Sequence, residues 1–250
     1  MKGLKQIRSR IEEACRKSGR SPSDVTLIAV AKSQPIEKIR EAIQAGVIDI
    51  GENYAQELLE HVGALLAAPL LHPHNPPVSP LTLRGDEKVC WHFIGHLQRN
   101  KVRQIIDRVE LIHSVDSFQL AREINKQARK IGKGQKILLE INLGGEGSKT
   151  GLPYSPALFD LISEINRLDS LRLRGLMVIP PFSDDPEGSR PFFRKLREIR
   201  DEINSRKLHK NELTGLSMGM TDDLEIAVEE GATMVRVGTG IFGPRLPLLE

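Results

Sequence analysis

Residues 25–32 read VTLIAVAK, an apolar and largely β-branched run that ends in Lys32 and is followed by Ser33, Gln34 and Pro35. A run of this kind, bounded by turn residues, is typical of a strand buried on both faces, as in parallel sheets. Lys32 is therefore predicted to stand at the end of a core strand. An amine next to apolar surroundings loses its proton more readily and can act as a nucleophile, whereas most strand-end lysines extend their ammonium group into water.

Strands and helices alternate along the rest of the chain. An amphipathic helix is predicted over residues 3–18, where apolar side chains recur at helical spacing. The predicted strands that follow cover residues 25–32, 47–51, 90–95, 109–115, 136–143, 171–179, 212–217 and 233–237, with a helix between each pair. This alternation predicts a single α/β domain over residues 1–250, a (β/α)8 TIM barrel with an extra N-terminal helix. A doubly wound open sheet is the alternative, but the GxGxxG turn typical of its first strand is missing.

One segment interrupts the repeat. Residues 63–88 read GALLAAPLLHPHNPPVSPLTLRGDEK, with five prolines. This proline density predicts an irregular loop insertion. Because the segment joins a helix to the next strand, it belongs at the N-terminal face of the barrel. His72 and His74 lack a carboxylate or thiolate companion, so they indicate a metal site only weakly.

The composition argues for a protein that handles a small molecule. Lys and Arg total 36 against 33 Asp and Glu, and a net charge of +3 is too small to indicate a nucleic acid or an anionic membrane as partner. The start of the chain lacks a signal-like apolar core, and no apolar run reaches membrane-spanning length. Cys15 and Cys90 lie far apart in the sequence and suggest free thiols. We therefore expect a cytosolic protein. We also expect a monomer or weak homodimer, although none of these observations bears on the oligomeric state.

The carboxyl ends of barrel strands carry the candidate chemistry, because they meet at one rim. The seventh strand ends in SMGMTDD, which begins at Ser217, and the eighth in RVGTG, which contains Gly238 and Thr239. Small and hydroxyl residues at these two ends predict a phosphate site. The first and eighth strands are neighbours in a closed barrel, so this site is expected to lie beside Lys32. The alternative is that the glycines only allow tight turns.

A phosphate site beside an amine suggests a phosphorylated aldehyde held as a Schiff base, and pyridoxal 5'-phosphate (PLP) is the obvious candidate. If the side chain of Arg236 points inward from the eighth strand, it can donate a hydrogen bond to the pyridine nitrogen. Because a guanidinium group keeps its proton, it would leave that nitrogen unprotonated and weaken the ring as an electron sink. The alternative role for Arg236 is an ordinary salt bridge at a strand end.

Several motifs together resemble one known family. They are AVAK (29–32), GENYAQE (51–57), WHFIGHLQRNK (91–101), SKTG (148–151), RGLMVIP (174–180), SMGMTDD (217–223) and MVRVGTGIFG (234–243). In order and spacing they resemble the pyridoxal phosphate homeostasis (PLP-binding) protein family. The resemblance implies a barrel like the N-terminal domain of alanine racemase, a fold-type III PLP barrel, without the C-terminal β-domain. The insertion at residues 63–88 departs from the short connection usual in the family.

The resemblance also implies which residues bind the cofactor. Lys32 of the AVAK motif would form the Schiff base, and Arg236 would face the pyridine nitrogen. The other implied positions are Asn53, His92 and Met177, which line the site, and Ser217, Gly238 and Thr239, which bind the phosphate.

Three functions fit these observations to different degrees. The resemblance implies a non-catalytic carrier that buffers PLP and delivers it to PLP-dependent apoenzymes. A PLP-dependent amino-acid racemase is the alternative. It needs a second acid or base opposite Lys32, which in alanine racemase is a tyrosine of the C-terminal domain, and this chain has only Tyr54 and Tyr154 and stops soon after the eighth strand. Residues 144–151, GGEGSKTG, resemble a nucleotide-binding P-loop only loosely, because the GK[ST] element and the glycine spacing are absent.

Overall fold

The computed structural model describes residues 1–67, 82–83, 87–145 and 150–244. Within them, eight parallel strands form a closed barrel in which each strand pairs with its neighbours in chain order and the eighth pairs with the first. The strands are β1 (Thr26–Val30), β2 (Asp49–Glu52), β3 (Cys90–Phe93), β4 (Leu111–Val115), β5 (Gln135–Asn142), β6 (Leu171–Met177), β7 (Gly215–Ser217) and β8 (Met234–Val237). The predicted (β/α)8 barrel is confirmed.

Helices follow the strands around the outside of the barrel. They are α1 (Lys2–Lys17), α2 (Ile36–Gln44), α3 (Ala55–Ala67), α4 (Val102–Ile105), α5 (Phe118–Lys130), α6 (Pro156–Ile165), α7 (Arg190–Ser205), α8 (Leu224–Glu229) and α9 (Thr239–Phe242). The extra N-terminal helix is α1, which packs its buried apolar face against α8 and α9. Periodicity did not predict α9, because one turn is too short to show a helical repeat.

The insertion is partly regular where the structure describes it. Residues 63–67 continue helix α3, and residues 82–83 pair antiparallel with residues 87–88. His72 and His74 lie outside the described residues. Within the described ranges, no three His, Cys, Asp or Glu side chains are grouped to hold a metal ion. In the same ranges, no helix combines the length and the apolar character needed to cross a bilayer.

Close backbone packing links β6 to β7. Gly175 and Gly215 are paired in register. A Cβ atom at Gly175 would overlap the carbonyl oxygen of Gly215, so only glycine allows the two strands to approach this closely.

A cluster of charges fastens α7 to the end of α8. The carboxylate of Glu230, whose side chain is 6% exposed, accepts hydrogen bonds from Arg190 at 3.2 Å and Arg194 at 2.9 Å. Arg197 lies 3.2 Å from its second oxygen. Burial raises the pKa of Glu230, but the hydrogen bonds from Arg194 and Arg190 and the charge of Arg197 outweigh it and hold this pKa below its ordinary value.

We expect Glu230→Gln to lower the free energy of unfolding at pH 7 by about 2 kcal/mol. This is less than the loss for a fully buried ion pair, because the arginines are partly exposed. The folded-state pKa of Glu230 is depressed, so its stabilisation is present above the unfolded pKa of about 4.3 and is lost as the pH falls through the folded value. Urea unfolding from pH 7 to pH 3 should therefore show the two proteins converging in acid.

The matched control is Glu198→Gln on α7, whose exposed carboxylate lies 3.7 Å from Lys195. It should change the unfolding free energy by no more than about 0.5 kcal/mol. Equal losses in the two variants would contradict a special role for the Glu230 cluster.

Candidate functional site

Lys32 lies in a tight turn rather than in a strand. β1 ends at Val30, and the N–H of Gln34 donates to the carbonyl oxygen of Ala31 at 2.9 Å. Ser33 has a φ of 56°, which is unusual for a residue other than glycine. Its N–H donates to Oε2 of Glu57 at 2.8 Å, so a carboxylate on α3 holds the backbone that presents Lys32.

The side chain of Lys32 is half-buried at the barrel mouth. Its Nζ atom lies 5.0 Å from the ring centroid of Tyr54, within the range of a cation–π contact. Over the described ranges, no carboxylate pairs with this ammonium group and no acceptor forms a hydrogen bond with it. The Tyr54 ring therefore contacts the ammonium group, while no carboxylate of the described residues balances its charge.

The structure brings Gly238 and Thr239 beside the end of β1, as the closed barrel requires. Ala29 is paired with Val237, and a Cβ atom at Gly238 would lie 3.6 Å from the carbonyl oxygen of Val30. This confirms that the turns after β1 and β8 are neighbours.

A second threonine, which the sequence analysis missed, joins the turn after β8. The hydroxyl oxygens of Thr221 and Thr239 lie 3.1 Å apart, and the N–H of Gly240 donates to Thr221 at 3.3 Å. The signal for Thr221 was present in the SMGMTDD motif. Two hydroxyl groups and small residues thus line this part of the mouth.

Arg236 is buried in the barrel, with 4% of its surface exposed. Its Nη1 donates to the hydroxyl oxygen of Ser217 at 2.6 Å, and its Nη2 donates to the carbonyl oxygen of Val178 at 3.0 Å. In the part of the chain that the structure describes, no carboxylate forms a direct pair with it, so the alternative of an ordinary salt bridge is wrong.

The guanidinium group of Arg236 nevertheless keeps its charge. Burial lowers the pKa of Arg236 to about 10, and the charges of Asp223 and Glu140 oppose this decrease. Because that value lies well above neutral pH, a buried cation remains inside the barrel.

A chain of hydrogen bonds runs from Ser217 across the barrel interior. Ser217 Oγ lies 2.9 Å from His113 Nδ1 on β4, although β4 and β7 are not neighbouring strands. His113 Nε2 lies 2.9 Å from His92 Nδ1, and His92 Nε2 lies 2.9 Å from Asp49 Oδ1. Burial, followed by the charges of His92 and Arg236, holds the pKa of His113 well below its ordinary value. His113 is therefore neutral.

Ser114 follows His113 on β4, and its side chain lies outside this hydrogen-bond chain. The register between β4 and β5 shifts between Ile112 and Val115, so the alternation of side chains that locates inward residues is broken there. The hydroxyl of Ser114 instead donates to the carbonyl oxygen of Gly95. The feature of the sequence that could have identified His113 is its position as a histidine within an otherwise apolar strand.

The remaining predicted residues lie at or below the mouth. Asn53 follows β2, and its Oδ1 is buried without a hydrogen-bond partner among the described residues. His92 is inside the barrel as part of the hydrogen-bond chain. Met177 is fully buried and packs with Leu111 and Leu138.

Two buried carboxyl groups at strand ends have separate partners. Glu52, the last residue of β2, points to α3, where its Oε1 lies 2.7 Å from Nδ1 of His61. Glu140 lies two residues before the end of β5, and its carboxylate accepts a hydrogen bond from Thr150 at 2.8 Å. Burial raises the pKa of both carboxyl groups.

Comparison with known proteins identifies the family. The family model for the N-terminal domain of alanine racemase matches residues 3–246. A pyridoxal phosphate homeostasis protein of Aquifex aeolicus is 41% identical over 242 residues, which cover 97% of this chain and 96% of the relative. The chain belongs to the pyridoxal phosphate homeostasis protein family. An Escherichia coli member of this family is 36% identical, with coverage of 97% and 95%. The resemblance inferred from the motifs is thus confirmed.

Solved structures agree with this family assignment. A Bifidobacterium adolescentis protein superposes with a TM-score of 0.83 at 37% identity, over 96% of this chain and 93% of that one. PipY of Synechococcus elongatus, solved with PLP bound, superposes with a TM-score of 0.75 at 34% identity, over 95% of this chain and all of PipY. Alanine racemase of Clostridium difficile shares the fold at 14% identity, with a TM-score of 0.70, and this chain covers 58% of it.

We expect Glu57→Ala to lower the free energy of unfolding by about 1–2 kcal/mol, because the N–H of Ser33 loses its acceptor. Glu57→Gln keeps a carbonyl acceptor and should cost less. Ser33→Gly should be neutral or stabilising, because glycine adopts a positive φ without strain. Urea unfolding of the three variants measures these changes.

The control is Glu60→Ala on the same helix, where the exposed side chain accepts a hydrogen bond from Gln56 and, within the described residues, from no other group. Its unfolding free energy should stay near that of the parent protein. If Glu57→Ala behaves like Glu60→Ala, the carboxylate of Glu57 does not hold the turn.

Proposed function

We propose that this protein binds PLP at the barrel mouth, covalently through Lys32, and serves PLP homeostasis by buffering the reactive aldehyde and delivering it to apoenzymes. The observation that carries the proposal is the half-buried Lys32 amine, which has no carboxylate partner among the described residues. It lies in the turn after β1, and the neighbouring strand β8 is followed by Gly238 and Thr239. The names of the family members support it, as does the PLP bound to PipY. The cytosolic location remains a prediction.

The residues present fit this cofactor chemically. A free amine, a buried cation with N–H groups to spare, and a cluster of hydroxyl and small residues match an aldehyde, a pyridine nitrogen and a phosphate. The buried Oδ1 of Asn53 has no partner in the described part of the chain, so it is an acceptor left available to a ligand.

Each residue would have a distinct role. The Lys32 amine, once it has lost a proton, condenses with the aldehyde carbon. A C=N bond forms and the aldehyde oxygen leaves as water. Gly238 and Thr239 would hold the phosphate, with Ser217 beneath them. Arg236 would donate to the ring nitrogen and, because it keeps its own proton, limit the electron-withdrawing power of the ring. Asn53 would line the site.

Two further residues that the resemblance places in the site, His92 and Met177, receive less direct support. His92 and Met177 lie in the buried layer below the mouth, so we assign them to its floor rather than to direct binding.

The racemase alternative receives less support. Two-base racemisation needs an acid or base on the side of the cofactor opposite Lys32. The hydroxyl of Tyr154 donates to Glu202 on α7 at 2.9 Å, and the Tyr54 ring contacts the Lys32 ammonium itself. Neither tyrosine is thus placed as a second base.

Adding PLP to the purified protein should produce a visible absorption band that borohydride abolishes, and peptide mapping should find the label on Lys32. Lys32→Ala should lose both the band and the label, because no other amine occupies this turn. Lys126→Ala removes an exposed lysine on α5 and should behave like the parent protein. No band at saturating PLP, or a label spread over surface lysines, would contradict the proposal.

The carrier role predicts that the PLP-loaded protein, freed of unbound cofactor, reactivates a PLP-dependent apoenzyme, and that it does not racemise alanine. Reactivation is measured as recovered enzyme activity over time, with Lys32→Ala treated in the same way as control. Steady interconversion of L- and D-alanine by the purified protein would instead favour the racemase.

A further inference from the structure

The hydrogen-bond chain across the barrel has a direction that donor and acceptor chemistry fixes. The carboxylate of Asp49 can only accept, so Nε2 of His92 carries a hydrogen. In a neutral ring the Nδ1 of His92 then accepts, which places the hydrogen of His113 on its Nε2. His113 Nδ1 is left as an acceptor, and the Ser217 hydroxyl donates to it. The oxygen of Ser217 accepts from Arg236.

The opposite direction leaves a hydrogen without a partner. If His113 carried its hydrogen on Nδ1, it would donate to Ser217, and the oxygen of Ser217 would then face two donors. The hydroxyl hydrogen of Ser217 would need another acceptor, and the described residues offer none within hydrogen-bond distance. Ser217 is fully buried, so water does not readily supply one.

The chain begins far from the mouth. Asp49 is the first residue of β2, at the N-terminal end of the barrel, and its side chain is 26% exposed. Ser217 is the last residue of β7, where it contacts Arg236. The two imidazoles are therefore the hydrogen-bonded link between Asp49 and the residues at the mouth.

We propose that Asp49, His92 and His113 are positioning residues for the cofactor site. Their hydrogen bonds keep the Ser217 hydroxyl hydrogen directed at His113 and its oxygen open to Arg236. Without this constraint, the hydroxyl could turn its hydrogen towards the guanidinium group and place two donors face to face. The inference rests on the proposed function, because its purpose is to present Arg236 to the ring of bound PLP.

The same geometry refines the part played by Ser217. Its hydroxyl hydrogen is directed into the barrel, so it is not available to a phosphate at the mouth. Phosphate binding would then depend on Gly238 and on the hydroxyl groups of Thr221 and Thr239, while Ser217 serves Arg236.

The first test measures the tautomers directly in the full-length, PLP-free protein. Nitrogen-15 NMR of histidine-labelled protein at pH 7, assigned with single histidine variants, should show His92 and His113 both neutral with the hydrogen on Nε2. Either ring in the Nδ1–H form, or either ring protonated, would overturn the proposed direction. This readout does not depend on PLP.

The second test breaks the chain at its far end. Asp49→Ala should raise the dissociation constant for PLP about fivefold and give mixed tautomers at His92 and His113, an effect near that of one net hydrogen bond. Asp49→Asn retains an acceptor oxygen and should restore both readouts to within about twofold of the parent. Asp107→Ala removes another N-terminal-face aspartate, which pairs with Arg108, and should leave PLP binding unchanged.

A second variant interrupts the hydrogen-bond chain at another residue and so controls for local unfolding at residue 49. His92→Gln keeps a donor for Asp49 but does not reach His113, so it should weaken PLP binding about as much as Asp49→Ala, with a native circular dichroism spectrum. Unchanged PLP affinity in both variants would overturn the positioning role. Failure of the parent protein to bind PLP would instead overturn the proposed function and leave the tautomer result standing.

Discussion

Closure of the sheet is the constraint on which the rest of this structure depends. The hydrogen bonds between β8 and β1 remove the sheet edges and set Ala29 beside Val237. The turns that follow these two strands, from opposite ends of the chain, therefore emerge side by side. Because all eight strands are parallel, their polar ends meet at one rim, and Gly238 lies beside Val30, two residues before Lys32.

The interior of the barrel carries a charge that packing alone does not explain. Transfer of a guanidinium group from water to a buried site is costly, and Arg236 has no carboxylate within hydrogen-bond distance in the described structure. Two of its N–H groups donate to a hydroxyl and a carbonyl oxygen, while Asp223 and Glu140 act from farther away. A cation with neutral contacts keeps most of its field available to a ligand, which is the property a cofactor site needs.

Local sequence patterns predicted the order of strands and helices well. Apolar runs and turn residues are short-range signals, and the parallel barrel followed from their alternation. The predicted ends were less accurate: Lys32 lies beyond β1, because a hydrogen bond from Gln34 to Ala31 closes a turn there. The expected neighbours Gly238 and Thr239 lie beside β1, since strand order determines that adjacency. Motif resemblance named the family, whereas the roles of the individual site residues stay predictions.

The sequence by itself determined the fold class, the family and the strand that precedes Lys32, because these depend on patterns a few residues long. Only the tertiary structure decided that Glu52 points to α3, that Glu57 holds the Lys32 turn and that His113 reaches Ser217 across the barrel. The contacts of Glu57 and His113 join elements that are not consecutive in the chain. They also depend on which face of a strand each side chain occupies, and the register shift in β4 changes that face without any mark in the sequence.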